Sequence, residues 1–267
     1  MVFLSLNVSF WHYYLPRHHY FFSMTGTHSN FAEQIDNSMR KTKIAALGDS
    51  IIKGVILTEQ NRYSVTDRSF IDIISKELDL RIINYGKFGC TVNYGTNIID
   101  RHSAEIASSD YTFIEYGGND CDFDWMKIAD NPGQNHIART TLESFKTLFA
   151  TLVEKARTLG SIPVIISLPP IISDTYFSFF SRLMNDEQKA NVVRWMGGDV
   201  NIISRWHESY NRALFMVAAQ TGAQIIDITT PFDTYRGNLK SLYCQDGIHP
   251  NEAGQKLIAH TIINSYL

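Results

Sequence analysis

Three side chains that could together perform nucleophilic catalysis lie far apart in the sequence. Ser50 follows an apolar run in the first fifth of the chain, whereas Asp246 and His249 lie close to the C-terminus. A serine hydroxyl is a weak nucleophile until a base removes its proton. A histidine can act as that base and later as the acid that protonates a leaving alkoxide. A carboxylate that accepts a hydrogen bond from Nδ1 of His249 would fix the tautomer in which Nε2 faces the serine.

The residues around Ser50 predict a turn at the edge of a β-sheet. Residues 44–47 form a short apolar run that is typical of a buried strand, and residues 48–50 break it. Ser50 is predicted as the N-cap of a helix that continues through Ile52. A serine in such a turn lies at the carboxyl edge of the sheet, where open α/β folds bind their ligands. The free N–H groups of the helix N-terminus would favour a negative charge at the same place.

The rest of the chain alternates between strand and helix patterns. Apolar runs predict further strands at residues 81–85, 111–116, 162–168 and 223–228. Periodic segments predict helices at residues 69–80, 140–159, 206–221 and 251–266, with another that ends near residue 107. Residues 57–68 are polar and are predicted to form a loop. These patterns predict an α/β fold, a three-layer α/β/α sandwich with a flavodoxin-like five-stranded parallel sheet in the order 2-1-3-4-5.

Length and charge limit the classes of protein that fit. The chain has 267 residues, of which 44% are hydrophobic and 19% charged, and its net charge is −3. This length suits one α/β domain with insertions. The small negative charge gives no electrostatic basis for binding nucleic acid or an anionic membrane. We predict one domain over residues 43–267 with an insertion at about 171–205, and a loosely ordered N-terminal extension at residues 1–42.

The N-terminal stretch and the cysteines bear on the cellular compartment. The first apolar run lacks a basic start, is interrupted at Asn7 and is too short to span a bilayer. The cysteines are Cys90, Cys121 and Cys244, which cannot form a full disulfide framework. Reduced thiols and a cytoplasmic location are therefore predicted. Secretion is the alternative if the N-terminal stretch is a signal peptide.

No metal or cofactor is expected from the sequence. The chemistry outlined for the serine needs none, and no cysteine belongs to a C-x-x-C pair that would indicate a zinc site. Asp122 and Asp124 are two acidic residues of a type that can bind a metal, but no histidine lies near them in the sequence. They are predicted to belong to a solvated loop.

Small and polar residues recur along the chain in short blocks. In order, the blocks are Gly48-Asp49-Ser50, Asn84-x-Gly86-x-x-Gly89, Gly117-Gly118-Asn119-Asp120 and Asp246-x-x-His249-Pro250. In this order and spacing they resemble the SGNH hydrolases, also called GDSL-type esterases and lipases. The resemblance extends from about residue 43 to the C-terminus. Ile51 stands where the family's name has leucine, and the G-x-S-x-G elbow of other α/β-hydrolases is absent.

The resemblance implies a set of donors for the negative charge that forms when an ester carbonyl is attacked. These donors, the oxyanion hole, are the backbone N–H of Ser50, the backbone N–H of Gly89 and the side-chain amide of Asn119. Glycine at position 89 leaves room for a substrate, and Asn119 offers two N–H donors without adding charge. Asp49 and Asp120 are expected to make structural hydrogen bonds to backbone groups instead of transferring protons.

The resemblance also implies an activity, that of a serine ester hydrolase that forms an acyl-enzyme. The expected substrates are small-molecule or carbohydrate esters with a short acyl group, such as O-acetylated carbohydrates. An acyltransferase, with a sugar or alcohol in place of water, is an alternative because it would use the same acyl-enzyme. A catalytically silent module that only binds a ligand is a second alternative.

Each block alone also has a structural explanation. Gly86 and Gly89 could simply shape a strand–helix turn, and Asn119 could be a turn residue or a helix cap. His249 before Pro250 could be an ordinary loop histidine. The joint occurrence of the blocks at predicted strand ends favours the catalytic interpretation.

Aromatic residues in and beside the insertion are the candidate contacts for a substrate. They are Trp125, Tyr176, Phe177 and Trp195. A long insertion in a compact domain is often a lid or a binding loop, and aromatic rings could cover an acyl chain or stack on a sugar. The same segment would alternatively form an interface between two copies of the chain, or a small separate core.

Overall fold

The computed structural model describes residues 41–265. The predicted N-terminal extension therefore lies outside the described residues except for Lys41 and Thr42, and the division into extension and domain stays a prediction. None of the helices in the described range has the length and hydropathy needed to cross a membrane.

The described strands form one large sheet and one hairpin. In chain order the strands are β1 (Lys43–Gly48), β2 (Val55–Leu57), β3 (Tyr63–Val65), β4 (Arg81–Asn84), β5 (Tyr111–Glu115), β6 (Ile162–Ile166) and β7 (Gln224–Ile226). The large sheet has five strands in the order β4-β1-β5-β6-β7, and all of its neighbours pair in parallel. When the two hairpin strands are set aside, this is the predicted order, so the predicted α/β fold is confirmed.

Helices cover both faces of the sheet. In chain order they are α1 (Ser50–Lys53), α2 (Phe70–Glu77), α3 (Val92–Arg101), α4 (Ser103–Ala107), α5 (Trp125–Asp130), α6 (Leu142–Thr158), α7 (Ser173–Phe180), α8 (Asp186–Trp195), α9 (Ile202–Thr221), α10 (Thr229–Asp233) and α11 (Glu252–Asn264). Short 3₁₀ turns lie at Ser181–Leu183 and Leu239–Leu242. The helix predicted to end near residue 107 is interrupted at His102, which separates α3 from α4.

Alternating apolar residues of the strands account for the three layers. In β1, Ile44 and Ala46 belong to one core, whereas Ala45 and Leu47 belong to the other. Residues of α2 and α11 pack into the first core, and residues of α3, α6 and α9 pack into the second. A strand that is buried on both faces appears in the sequence as a continuous apolar run. This property made β1, β5 and β6 recognisable, whereas the edge strands β4 and β7 are only partly buried.

The predicted loop at residues 57–68 contains part of a β-hairpin instead. Strands β2 and β3 pair antiparallel, with Val55 opposite Val65 and Leu57 opposite Tyr63. The prediction of a loop is therefore wrong for these residues. The segment carries no strand signal because the side chains of β3 are exposed, so it shows no buried apolar pattern. Backbone hydrogen bonds hold the hairpin, including one from the N–H of Thr66 to the carbonyl of Gly54 at 2.9 Å.

The insertion folds into a small helical core beside the sheet. It contains α7, a 3₁₀ turn and α8, and α9 begins at Ile202, earlier than the predicted residue 206. With α5 these helices enclose a third apolar cluster that includes Trp125 and Val192. The ring of Trp125 stacks on that of Phe180, with centroids 4.5 Å apart. A separate small core was one of the predicted alternatives for this segment.

Candidate active site

The carboxyl ends of β4, β1 and β5 meet at one edge of the sheet because these strands are parallel neighbours. Ser50 lies directly after β1, Gly89 in the loop after β4, and Asn119 in the loop after β5. The loop that carries Asp246 and His249 precedes α11 and reaches the same edge. The structure therefore brings together all of the predicted catalytic and oxyanion-hole residues.

Ser50 is the first residue of α1, and its predicted role as N-cap is wrong. The N-cap is Asp49, whose Oδ1 accepts a hydrogen bond from the N–H of Ile51 at 2.9 Å. Aspartate caps a helix about as well as serine does. This arrangement leaves the hydroxyl of Ser50 for another partner. It also confirms the predicted hydrogen bond between Asp49 and the local backbone.

Ser50, His249 and Asp246 form a continuous hydrogen-bonded chain. Oγ of Ser50 lies 2.9 Å from Nε2 of His249, and Nδ1 of His249 lies 2.7 Å from Oδ2 of Asp246. An ionised carboxylate can only accept a hydrogen bond, so Nδ1 of His249 carries the proton. Nε2 is then the acceptor that faces the serine hydroxyl. This is the geometry that general-base activation of a serine requires.

Asp246 is held in its ionised form although it is fully buried. Burial by itself raises the pKa of this carboxyl, but the hydrogen bond from His249, the charge that His249 carries when protonated and two backbone hydrogen bonds lower the pKa below its usual value. The backbone N–H groups of Ile248 and His249 donate to Oδ1 at 3.2 and 3.1 Å. Hydrogen-bond donors to both carboxylate oxygens therefore stabilise the negative charge.

A tight loop holds Asp246 and His249 in place. The N–H of Cys244 donates to the carbonyl of His249 at 2.8 Å, which closes the loop on itself. Gly247 lies between the two functional residues with a φ of 73°, a conformation that favours glycine. A Cβ on Gly247 would also come within 3.0 Å of the carbonyl of Ile172, so a larger residue would displace the loop.

The backbone N–H groups of Ser50 and Gly89 are available for a ligand. Within the described residues, neither of these groups donates a hydrogen bond. Gly89 has a φ of 73°, and a Cβ added there would meet no atom within 4 Å. The glycine is therefore required by the backbone conformation, and the space beside it is open to a substrate.

The side-chain amide of Asn119 is oriented by a buried carboxylate. Nδ2 of Asn119 donates to Oδ2 of Asp49 at 2.9 Å, and its second N–H remains for another acceptor. Asp120, the next residue, accepts hydrogen bonds from the N–H of Val92 at 3.1 and 3.2 Å. This contact confirms the predicted structural role of Asp120 and ties the loop after β5 to the start of α3.

A cavity of about 460 Å³ extends from these residues towards the insertion. Most of its lining is apolar or aromatic. Of the predicted substrate contacts, Trp125, Tyr176 and Trp195 line the cavity. Phe177 is not among the lining residues, because its ring packs inside the third cluster against Phe180, with centroids 5.5 Å apart.

Two aromatic residues beside His249 were missed by the sequence analysis. The rings of Tyr63 and Phe88 lie 5.3 and 5.9 Å from the imidazole of His249, measured between centroids. Burial and the charge of Asp246 raise the pKa of Tyr63 above its usual value. Tyr63 belongs to the hairpin that was not predicted, so no sequence signal indicated it. Phe88 could have been identified, because it precedes Gly89 in the sequence.

The predicted solvated loop at Asp122 and Asp124 is wrong for Asp122. Its Oδ1 accepts hydrogen bonds from Nε1 of Trp125 at 2.8 Å and from the hydroxyl of Tyr176 at 3.0 Å. These bonds fix two of the cavity-lining rings, and burial raises the pKa of the carboxyl. Asp124 is exposed and caps α5 through the N–H of Lys127. No cluster of ligating side chains in residues 41–265 is suited to a metal ion.

Two buried titratable groups also line the cavity, and no sequence motif indicated either of them. His207 has no hydrogen-bonding partner among the described residues, and burial lowers its pKa to about 4, so the imidazole is neutral. Glu115, at the end of β5, is 1% exposed, and neither carboxyl oxygen has a hydrogen-bonding partner of normal geometry in residues 41–265. Burial, followed by the nearby charge of Asp49, raises the pKa of Glu115 well above its usual value.

Comparison with known proteins gives one family and one fold. The family described as GDSL-like lipase/acylhydrolase matches residues 46–257. No curated protein matches the chain. Among solved structures, the lipase/acylhydrolase from Enterococcus faecalis is 19% identical, with a TM-score of 0.59 over 84% of this chain and 94% of that one.

Two further solved structures resemble the chain to a similar extent. The acetylxylan esterase Axe2 from Geobacillus stearothermophilus is 19% identical, with a TM-score of 0.55 over 84% of this chain and 94% of the other. LAE5, described as an α/β hydrolase from the metagenome of Lake Arreo, Spain, is 18% identical, with a TM-score of 0.58 and the same coverage. At these identities the similarity establishes the fold and nothing finer.

The buried carboxyl of Glu115 predicts a pH-dependent difference in stability. Because the folded-state pKa of Glu115 is raised, its neutral form is fully compatible with the fold at low pH, and stability is lost as the pH rises above the unfolded-state pKa. Glu115→Gln lacks this loss. The free energy of unfolding of the variant relative to wild type should therefore increase as the pH rises from about 5 to neutral, by at most about 1.4 kcal/mol per pH unit.

Urea denaturation across this pH range measures the effect. Glu143→Gln, on the exposed face of α6, is the matched control and should show a constant difference from wild type. A pH-independent difference for Glu115→Gln would mean that Glu115 is ionised in the folded protein at neutral pH.

Proposed function

The chain belongs to the GDSL-like lipase/acylhydrolase family, and we propose that it hydrolyses carboxylic esters through an acyl-enzyme on Ser50. The observation that supports this most directly is the hydrogen-bonded chain from Ser50 through His249 to Asp246. It lies at the end of an apolar cavity and faces N–H groups that have no acceptor among the described residues.

In the first half of the proposed reaction, Oγ of Ser50 attacks the ester carbonyl carbon while its proton moves to Nε2 of His249. The electron pair of the carbonyl π bond moves to the oxygen, which becomes an oxyanion. The N–H groups of Ser50 and Gly89 and the second N–H of Asn119 donate to this oxygen. The intermediate then collapses, the bond to the alkoxide breaks, and His249 returns the proton to the leaving oxygen.

In the second half, water replaces the departed alcohol. His249 takes a proton from the water, the resulting nucleophile attacks the acyl carbon, and the oxyanion forms again in the same place. Collapse breaks the bond to Ser50, and Oγ regains its proton from His249. Asp246 stays ionised throughout and stabilises the imidazolium that forms in each half. The low pKa of this carboxyl suits that role.

The size and lining of the cavity favour binding of esters whose acyl group is apolar. Its volume of about 460 Å³ is that of a small-molecule site, and rings and aliphatic side chains form most of its wall. An acetyl group would contact only a small part of this wall. We propose short aliphatic or aromatic acyl groups as the substrate class, and an O-acetylated carbohydrate remains the narrower sequence-based prediction.

Removal of the proposed nucleophile tests the mechanism. Ser50→Ala should lower kcat/KM for p-nitrophenyl butyrate by at least about 10³-fold, because the remaining groups can only bind and polarise the ester. Asp246→Asn should lower kcat by about 10⁴-fold, because the amide no longer selects the required tautomer of His249. Ser64→Ala, on the exposed strand β3, is the matched control and should behave as wild type. Retention of most turnover in Ser50→Ala would refute the mechanism.

A series of acyl lengths tests the proposed substrate class. From p-nitrophenyl acetate to butyrate to hexanoate, kcat/KM should rise, because each methylene buried in the cavity contributes about 0.8 kcal/mol, or roughly fourfold. Trp195→Ala removes part of the wall and should lower the hexanoate-to-acetate ratio by about threefold or more. Phe177→Ala lies in the same cluster outside the cavity and should leave this ratio unchanged.

If acetate is the best substrate and the two variants give equal ratios, the cavity does not hold the acyl group. That result would favour the narrower prediction of an acetyl ester. Thermal unfolding of both variants checks that the third apolar cluster remains folded.

A further inference from the structure

Arg139 contacts both loops that supply the proposed oxyanion donors. Its Nη1 donates to Oδ1 of Asn119 at 3.3 Å, and its Nη2 donates to the carbonyl oxygen of Gly89 at 3.0 Å. The first loop follows β5 and the second follows β4. One guanidinium therefore bridges two segments that are separated in the sheet by β1. The planar guanidinium, with several donors in a rigid plane, is well suited to this bridge.

The main chain fixes the position from which Arg139 reaches these loops. The N–H of Arg139 donates to the carbonyl of Asp122 at 2.9 Å, and the N–H of Thr140 donates to the carbonyl of Asp120 at 3.0 Å. Ala138 and Thr140 on either side are buried. The guanidinium is exposed, but the backbone beneath it is attached to the same loop that carries Asn119.

Arg139 and Asp49 hold the amide of Asn119 from opposite ends. Asp49 accepts from Nδ2, whereas Arg139 donates to Oδ1. This pair fixes which end of the amide is the donor and limits rotation about the last side-chain bond. The guanidinium beside the amide oxygen also polarises the amide. The remaining N–H of Nδ2 is left for another acceptor.

The backbone of Gly89 has fewer contacts to restrain it than the side chain of Asn119 has. A glycine has wide conformational freedom, and no atom packs against the side of Gly89 where a Cβ would be. Its neighbour Phe88 is exposed. The hydrogen bond from Arg139 to the carbonyl of Gly89 restricts the dihedral angles of this residue and therefore the direction of its own N–H.

We propose that Arg139 is a positioning residue that holds the N–H of Gly89 and the amide of Asn119 in the arrangement that receives the oxyanion. This inference rests on the proposed ester hydrolysis and adds a residue to it that no block of the sequence indicated. Arg139 also lines the cavity, but its side-chain hydrogen bonds go to Asn119 and Gly89 and not to Ser50 or His249. Its contribution acts in the transition state, so its loss should affect kcat more than KM.

Variants at Arg139 test the proposal on p-nitrophenyl butyrate. Arg139→Met should lower kcat by about tenfold or more, less than the ~10²–10³-fold loss of an oxyanion donor itself, and should change KM by less than about threefold. Arg139→Lys should be intermediate, because an ammonium keeps the charge and N–H donors but lacks the planar fork that holds both acceptors in a fixed geometry. Arg236→Met, at another exposed arginine outside the cavity, is the matched control.

Chemical rescue separates positioning from a general effect on the fold. Added ethylguanidinium should restore part of the kcat of Arg139→Ala, whereas tetramethylammonium at the same concentration should not. Unchanged kcat in Arg139→Met would overturn the proposal. A rise in KM at constant kcat would also overturn it, because Arg139 would then bind the substrate in its ground state. If Arg139→Met unfolds at a lower temperature than wild type, the kcat of Arg139→Lys and the rescue experiment still test whether Arg139 positions the donors.

Labelling with a fluorophosphonate distinguishes failure of this inference from failure of the proposed function. Wild type should react at Ser50, and Arg139→Met should react more slowly, because the tetrahedral adduct uses the same donors. Labelling of wild type with an unchanged rate in the variant would overturn the role of Arg139 alone. Absence of labelling at Ser50 in wild type would overturn the proposed function, and this inference with it.

Discussion

A hydrogen bond of 2.9 Å between Ser50 and His249 joins two parts of the chain that are 199 residues apart. The sheet supplies one partner, because β1 lies between β4 and β5 and delivers Ser50 to their common edge. The loop before α11 supplies the other, and its shape depends on the positive φ of Gly247 and on the bond from Cys244 to His249. If either element were displaced, the hydroxyl of Ser50 would lose its base. The proposed oxyanion donors would then have no activated nucleophile beside them.

The site is built on interactions that do not favour folding by themselves. Burial of a polar group without a well-formed hydrogen bond costs on the order of 1–3 kcal/mol, and the carboxyl of Glu115 has no bond of normal geometry within residues 41–265. Asp49 is buried beside it and orients Asn119. Such local costs are expected where groups must face a substrate, and the apolar cores on both faces of the sheet offset them.

The sequence was sufficient for the sheet and for the residues of the four blocks. Strands with two buried faces are continuous apolar runs, and parallel order places the ends of neighbouring strands together, so Ser50, Gly89 and Asn119 were expected at one edge. It was not sufficient for contacts that depend on distant partners. Strand β3 of the hairpin, which carries Tyr63, has exposed side chains. Asp122, predicted to be solvated, accepts hydrogen bonds from Trp125 in α5 and Tyr176 in α7. Arg139 carries no local signal, because its acceptors lie on two other loops.

The convergence of the serine with its proposed donors can be observed directly in a crystal structure of the protein inactivated by a p-nitrophenyl alkylphosphonate. We expect phosphorus bonded to Oγ of Ser50, and the phosphoryl oxygen within about 2.7–3.1 Å of the backbone nitrogens of Ser50 and Gly89 and of Nδ2 of Asn119. Phosphorus on another residue, or a phosphoryl oxygen turned away from Gly89 and Asn119, would contradict the proposed mechanism.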